Sequence, residues 1–209
     1  MKKTIPKWNP AELPFLEEKL EFRKKNIEGL NYNGTVFCAY AGEESRLTNF
    51  YAKKFAEVIA LDKEFPLPLP KNVTKIQMSD KQFFKKFNKF ELPRIIEVLD
   101  VDPYGSPIPF LQQFFSKYHG VVKRVIVTDG AITIAKLRRR MNWYKYYGIL
   151  ENGVRNAEPW IYKHFPCILF SKAQKIFSQN GYTIVYFTYE FNRYRTAVYA
   201  RFDVVKGID

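Results

Sequence analysis

Apolar positions along this chain recur in two alternating periods. From Pro14 to Ile27, Leu16, Leu20 and Ile27 fall near helical spacing among Glu and Lys, which predicts an amphipathic lead-in helix within residues 1–30. NYNG then punctuates the chain, and TVFCAY follows as a short β-rich apolar run of the kind buried on both faces. In RLTNFYAKKFA, Leu47, Tyr51 and Phe55 lie four apart with Lys53 and Lys54 off that face, so a helix is predicted. EVIALD is a second strand ending in Asp62, proline-rich FPLPLPKN is a loop, and TKIQMSD is a third strand ending in Asp80. QFFKKFNKF predicts a helix packing Phe83, Phe87 and Phe90 into the core. RIIEVLDVD is the fourth strand. Ser106 and Pro107 then open a helix carrying Phe110, Leu111, Phe114, Phe115 and Tyr118 on one face, and VVKRVIVTD is the fifth strand.

Strands alternating with helices imply βαβ crossovers, hence an α/β fold with a mostly parallel sheet and helices on both faces. The tail differs. KAQKIFSQNG reads as a helix with a Gly stop, and YTIVYFTYEF and RYRTAVYARFDVV read as long strands about a turn at Asn192, an antiparallel C-terminal hairpin. Between these blocks, residues 131–165 form an irregular insertion rich in bases and aromatics. A chain of 209 residues is then a single domain over 1–209.

Composition narrows the partners. Thirty-four Lys and Arg against 21 Asp and Glu give a formal charge of +13, which makes a nucleic acid the first partner to consider. Cys38 and Cys167 are far apart and lack a metal-site pattern, so neither a disulfide scaffold nor a metal site is expected, and both read as buried thiols in a reducing compartment. The amino terminus has no apolar stretch behind its lysines and no segment reaches the length of a membrane span, so a cytoplasmic protein with no membrane partner is expected.

In an open parallel sheet, ligands bind beyond the carboxyl ends of the strands. That rim collects the AYAGEES turn, Asp62 with Lys63, Ser79 and Asp80, and DPYG. A turn at Tyr40, Ala41 and Gly42 followed by Asp62 at the end of the second strand suits a nucleoside, with Asp62 accepting the ribose hydroxyls and Asp80 an adenine amine. Glu43 and Glu44 stand where a phosphate would need a bare helix start, which disfavours dinucleotides and admits a cationic ligand. S-adenosylmethionine fits as the cofactor: it carries adenosine, a sulfonium and no phosphate. Beyond the fourth strand, the Asp102 carboxylate and the Pro103 carbonyl can each accept one N–H of an exocyclic amine, and Tyr104 can stack on its base.

At these residues the chain resembles the S-adenosylmethionine-dependent amino-methyltransferases with an (Asp/Asn)-Pro-Pro-(Tyr/Phe) motif. It is most similar to the tRNA (guanine-N2) dimethyltransferases, whose Asp-Pro-Phe-Gly-Ser-Pro-x-Pro-Phe run is matched by DPYGSPIPF at 102–110. The resemblance implies a Rossmann-like class I methyltransferase fold, Asp102 as the catalytic carboxylate and Tyr104 as the stacking ring. It covers residues 34–130; the first glycine motif is degenerate, with Ser45 in place of its second Gly, and the family's C-terminal tRNA-binding domain is not recognised.

KLRRRMNWYKYY combines phosphate-neutralising Lys136, Arg138, Arg139, Arg140 and Lys145 with Trp143, Tyr144, Tyr146 and Tyr147 as stacking planes, and is expected to contact RNA more than DNA. His119 and His164 read as surface residues, and Asp100 as either a second acid or the partner of a nearby Arg. Two rivals stand beside the amino-methyltransferase reading. One is an N6-adenine or N4-cytosine DNA methyltransferase. The other is an inactive methyltransferase-fold module that binds nucleic acid or a protein.

Overall fold

The computed structural model of the chain describes residues 14–41, 46–65, 68–103, 105–131, 147 and 158–207. Its elements run α1 (Pro14–Asn26), β1 (Thr35–Ala39), α2 (Arg46–Ala52), β2 (Glu57–Asp62), β3 (Val73–Gln77), α3 (Asp80–Lys85), β4 (Ile95–Val101), α4 (Ile108–Phe115), β5 (Val121–Asp129), α5 (Glu158–Ser178), β6 (Tyr182–Phe191) and β7 (Val198–Lys206). The strands form one sheet in the order β3-β2-β1-β4-β5-β7-β6. β1 to β5 pair in parallel, and β7 is antiparallel to both β5 and β6. β6 therefore points the same way as β1 to β5. The strand order reverses between β1 and β4, so their carboxyl ends flank the switch point where such sheets bind ligands.

Alternation along the strands sends side chains to two cores. On one face Phe37, Leu61, Leu99, Val101 and Val127 pack with Phe83, Phe110, Phe114 and Phe177 from α3, α4 and α5. On the other, Val36, Cys38, Val58, Val98 and Ile126 pack with Phe22 of α1, Leu47 and Tyr51 of α2 and Tyr199 of β7. β4 carries a bulge against β1, since Thr35 pairs with Ile96 and Val36 with Val98. The extra residue, Glu97, is buried and its charge is met by Lys123 at 2.6 Å.

Some expectations are corrected. The aromatic helix is split into α3 and a 3-10 turn at Phe87–Lys89, although its Phe83 and Phe87 are buried as expected. α5 begins at Glu158 and contains Pro166, so the stretch read as insertion to residue 165 ends in helix. Pro166 disguised that start, because a proline inside a helical pattern ordinarily signals a boundary. Cys167 is exposed rather than buried, on the solvent side of α5, whereas Cys38 is buried in β1.

The lead-in helix is docked by charge as much as by its apolar stripe. Arg23 is fully buried and grips Asp100 of β4 with two bonds, Nε to Oδ2 at 2.7 Å and Nη2 to Oδ1 at 2.8 Å. Nη2 also donates to Thr128 Oγ1 at 3.2 Å, and the Tyr51 hydroxyl donates to Asp100 at 2.6 Å. Asp100 is thus the partner of an arginine. Burial opposes charge on Arg23, yet the carboxylates of Asp100 and Asp102 hold its proton more tightly than in water. Removing one partner strands the other in a low-dielectric core, so Arg23→Ala should lower unfolding free energy by about 3–5 kcal/mol. A loss of unfolding free energy below about 1 kcal/mol, read from the midpoint and slope of urea unfolding, would contradict that dependence.

Candidate active site

The donor half is built from the ends of β1, β2 and β3. Tyr40, the first residue past β1, has a positive φ of 60°, which is costly for a non-glycine side chain and marks a forced turn. The Tyr40 and Ala41 amides both donate to the Leu61 carbonyl, at 2.8 and 3.3 Å, so the turn is pinned against the end of β2. There Asp62 Oδ1 accepts the Lys63 amide at 2.6 Å, an Asx-type turn that orients the carboxylate. The Lys63 side chain is exposed, so that residue contributes its backbone.

The Tyr40 hydroxyl crosses to Asp80 and donates to Oδ2 at 2.9 Å. Burial and the neighbouring carboxylates of Asp80 and Asp62 raise the Tyr40 pKa, keeping that hydroxyl a donor. Ser79 caps α3 through a capping box with Gln82, so its hydroxyl serves the helix. Tyr40, Ala41, Asp62 and Asp80 are therefore contiguous, as the rim argument expected, but one Asp80 oxygen is already engaged. Gly42 lies outside the described residues.

The acceptor half abuts this turn, because the Asp102 amide donates to the Ala39 carbonyl at 3.3 Å. The Asp102 side chain is only 9% exposed, and Lys19 of α1 holds Oδ2 at 2.9 Å. Its Oδ1 is 4.0 Å from Arg23 Nη2 and is buried without a hydrogen-bond partner among the described residues. Burial alone would push the carboxyl pKa up, but Lys19 and Arg23 outweigh it and hold Asp102 below the usual carboxylate range. The catalytic carboxylate expected from the sequence is thus enclosed by the protein's own cations and held in its ionised form. It can accept a hydrogen bond, and with its proton affinity lowered it is a weaker base than an ordinary carboxylate. Pro103 follows it on the rim, and Tyr104 lies outside the described residues.

A second carboxylate near the same loop has the opposite character. Asp129, at the end of β5, is fully buried, with the Ala131 amide donating to Oδ1 at 2.9 Å and the Tyr147 hydroxyl bonded to Oδ2. Tyr147 also meets Ser106 Oγ at 2.7 Å, and the Gly130 amide donates to the Gly105 carbonyl at 3.0 Å. The DPYGSP loop is thereby tied to the end of β5. Ser106 also accepts the Ile108 amide at 3.2 Å at the start of α4.

Sequence reasoning left out Lys19, reached Asp129 only as part of the rim turn at residues 128–130, and expected Tyr147 to stack on nucleic acid, whereas Tyr147 is buried against Asp129 and Ser106. A charged residue four before Arg23 was a usable signal for Lys19, whereas Tyr147 is distant in sequence from its partners. Lys136, Arg138, Arg139, Arg140, Trp143, Tyr144, Lys145 and Tyr146 all lie outside the described residues. Among those described, no cluster of His, Cys, Asp or Glu could hold a metal, and no helix is long and apolar enough to cross a membrane.

No protein-family model and no curated protein sequence matches the chain. Solved structures do. A candidate hemolysin from Lactococcus lactis superposes with a TM-score of 0.60 at 15% identity, over 91% of this chain and 88% of that one. M. jannaschii TYW2 in complex with AdoMet gives 0.54 at 15% identity, covering 94% and 80%. A candidate S-adenosylmethionine-dependent methyltransferase from Streptococcus mutans gives 0.53 at 11% identity, over 87% of this chain and 48% of that one. The fold is Rossmann-like, of the class I methyltransferase type. At these identities the likeness establishes architecture, and site chemistry rests on the residues above.

Burial pushes the Asp129 carboxyl up to about 7, against the hydrogen bonds from Tyr147 and Ala131. The folded chain then retains a proton that the unfolded chain has released, so stability falls as pH rises from about 4 to about 7. Asp129→Asn, which cannot ionise, should flatten that decline. Thermal unfolding followed across this range checks it, and an unaltered slope in the variant would refute the assignment.

Proposed function

We propose that this protein transfers a methyl group from S-adenosylmethionine to an exocyclic amine of a nucleobase in RNA or DNA. The observation that carries the reading is the Asp102 carboxylate, ionised and enclosed beside the β1 turn, with one oxygen that faces Arg23 at 4.0 Å but has no hydrogen-bond partner among the described residues. A buried unsatisfied acceptor is costly and in native structures calls for a role. Here that role is to receive an N–H of the acceptor. The DPYGSPIPF resemblance and the methyltransferase architecture support the same assignment.

The donor side suits adenosine with a cationic tail. Asp62 would take the ribose hydroxyls, Asp80 the adenine amine alongside the Tyr40 hydroxyl, and the Tyr40 to Gly42 turn the amino-acid portion. Asp62 and Asp80 disfavour a phosphate and tolerate a sulfonium. Bound there, S-adenosylmethionine would supply a methyl already activated on sulfur, so no metal is called for. A base amine is a weak nucleophile because its lone pair is delocalised into the ring. Asp102 Oδ1 and the Pro103 carbonyl would hold its two N–H groups and aim the lone pair, while Tyr104 would stack on the ring. Positioning of this kind is the main contribution such residues can make.

A second reading is favoured by one observation. Lys19 occupies Asp102 Oδ2, so an inactive module that uses this fold to bind nucleic acid would look much the same. Titration of labelled S-adenosylmethionine separates the two, since the enzyme should bind in the micromolar range and the module should not. Asp62→Ala should weaken that binding by about tenfold or more. Asp102→Ala should leave donor affinity intact and abolish methyl transfer to RNA or DNA, and undiminished transfer would overturn its role.

Lys19 gives a pH test. Its loss leaves burial less opposed at Asp102 and raises that pKa. Because Asp102 must be ionised to accept the amine, the acidic limb of the rate profile of Lys19→Met should move to higher pH. An unmoved limb in an active variant would separate Lys19 from Asp102 function.

A further inference from the structure

The turn joining β6 to β7 carries chemistry that the site described above does not use. Because β6 runs parallel to β4, this turn emerges on the same rim as Asp102. It is built around Asn192, which is 3% exposed. Asn192 Oδ1 accepts the Thr196 and Ala197 amides at 2.7 and 3.1 Å, and Nδ2 donates to Thr196 Oγ1 at 2.8 Å. Those bonds make a firm platform, and Arg195 sits on it with a positive φ of 51°.

What the platform displays is alternately cationic and aromatic. Arg193, Tyr194 and Arg195 are all exposed, Tyr194 at 55%. The Arg193 guanidinium lies 5.8 Å from the Tyr194 ring centre, and that of Arg195 lies 5.7 Å from Phe191. Tyr189, also exposed, packs edge-on to Phe191 at 5.9 Å. Arg193 is tethered to the active-site side of α1 by Glu18, at 2.6 Å, and the next residue of that helix is the Lys19 that holds Asp102.

We infer that the β6–β7 turn is a docking surface for a single-stranded segment of nucleic acid, with Arg193 and Arg195 meeting phosphates and Tyr194 stacking on a base that flanks the acceptor base. A sugar-phosphate strand is the partner that needs both exposed planes and adjacent cations, and a chain of net charge +13 attracts it at long range. The inference rests on the nucleobase reading and supplies its flanking contact.

The test uses fluorescence anisotropy of the full chain with labelled oligo(U) and oligo(dT) of about 20 nucleotides. Tyr194→Ala and Arg195→Glu should each weaken binding by about tenfold, and Arg195→Glu should lower the slope of log affinity against log salt by about one or more. Tighter binding of oligo(U) or of oligo(dT) tells which strand the turn takes. Lys54→Glu makes the same charge change just before β2, on the opposite rim of the sheet at the amino ends of the parallel strands, and should cost less than about twofold. Equal losses for Lys54→Glu and Arg195→Glu, unaltered affinity in the turn variants, or no binding by the parent chain would overturn the inference. Because these side chains are exposed, melting temperatures should match the parent, and a turn variant that melts early is replaced by Arg193→Gln and read the same way. Donor binding, measured separately, distinguishes failure here from failure of the methyltransferase reading: retained donor affinity without oligonucleotide binding defeats only the docking surface.

Discussion

The buried pair of Arg23 and Asp100 fixes the rest of the rim. A guanidinium with no exposure must be met by charge and hydrogen bonds, and Asp100, Thr128 and Tyr51 are the groups that meet it. Once Arg23 is held, the register of α1 follows. Lys19 lies one helical turn earlier, on the same face, and rises about 6 Å from Arg23. Asp100 and Asp102 are two residues apart on one strand face, about 6.6 Å. Two cations on an antiparallel helix therefore match two carboxylates on β4. Glu18, next along, reaches the β6–β7 turn through Arg193. One ion pair thus sets the donor-facing end of β4, the enclosure of Asp102 and the edge of the rim.

Two carboxylates near the same loop are driven in opposite directions by their surroundings. Asp102 has cations beside it and is held ionised, whereas Asp129 has, among the described residues, a phenol and an amide and retains its proton toward neutrality. Environments that separate like groups in this way assign them different tasks. Asp102 is a fixed acceptor of hydrogen bonds. Asp129 joins the end of β5 to the DPYGSP loop through Tyr147 and Ser106, and so stiffens the segment that carries the acceptor residues.

Much of the architecture was legible because buried parallel strands are nearly uninterrupted apolar runs. TVFCA, EVIALD and VVKRVIVTD could be delimited almost to the residue, and the tail hairpin followed from strand length and the Asn192 turn. The start of α5 was not legible, since Pro166 falls inside it, and Cys167 looked buried only because its neighbours are apolar. In the site, Asp62 was readable from topology as the end of its strand, whereas Asp80, expected to end the third strand, instead opens α3 after β3 has stopped at Gln77, and the contacts among these acids were not readable. Nothing in the order of residues says that Tyr40 bonds Asp80, or which carboxylate the amphipathic lead-in helix brings to Lys19. Such pairings depend on crossings of elements far apart along the chain.

The β4 bulge has a reach beyond its own strand. By letting Glu97 be the extra residue, it shifts the alternation so that Val98 and Asp100 face α1 and α2 while Leu99 and Val101 face α4 and α5. Without that one-residue offset, the parity of β4 from Val98 onward would be reversed, and both aspartates would point into the phenylalanine layer. An irregularity at the amino end of a strand thus decides which side of the sheet its carboxyl end addresses.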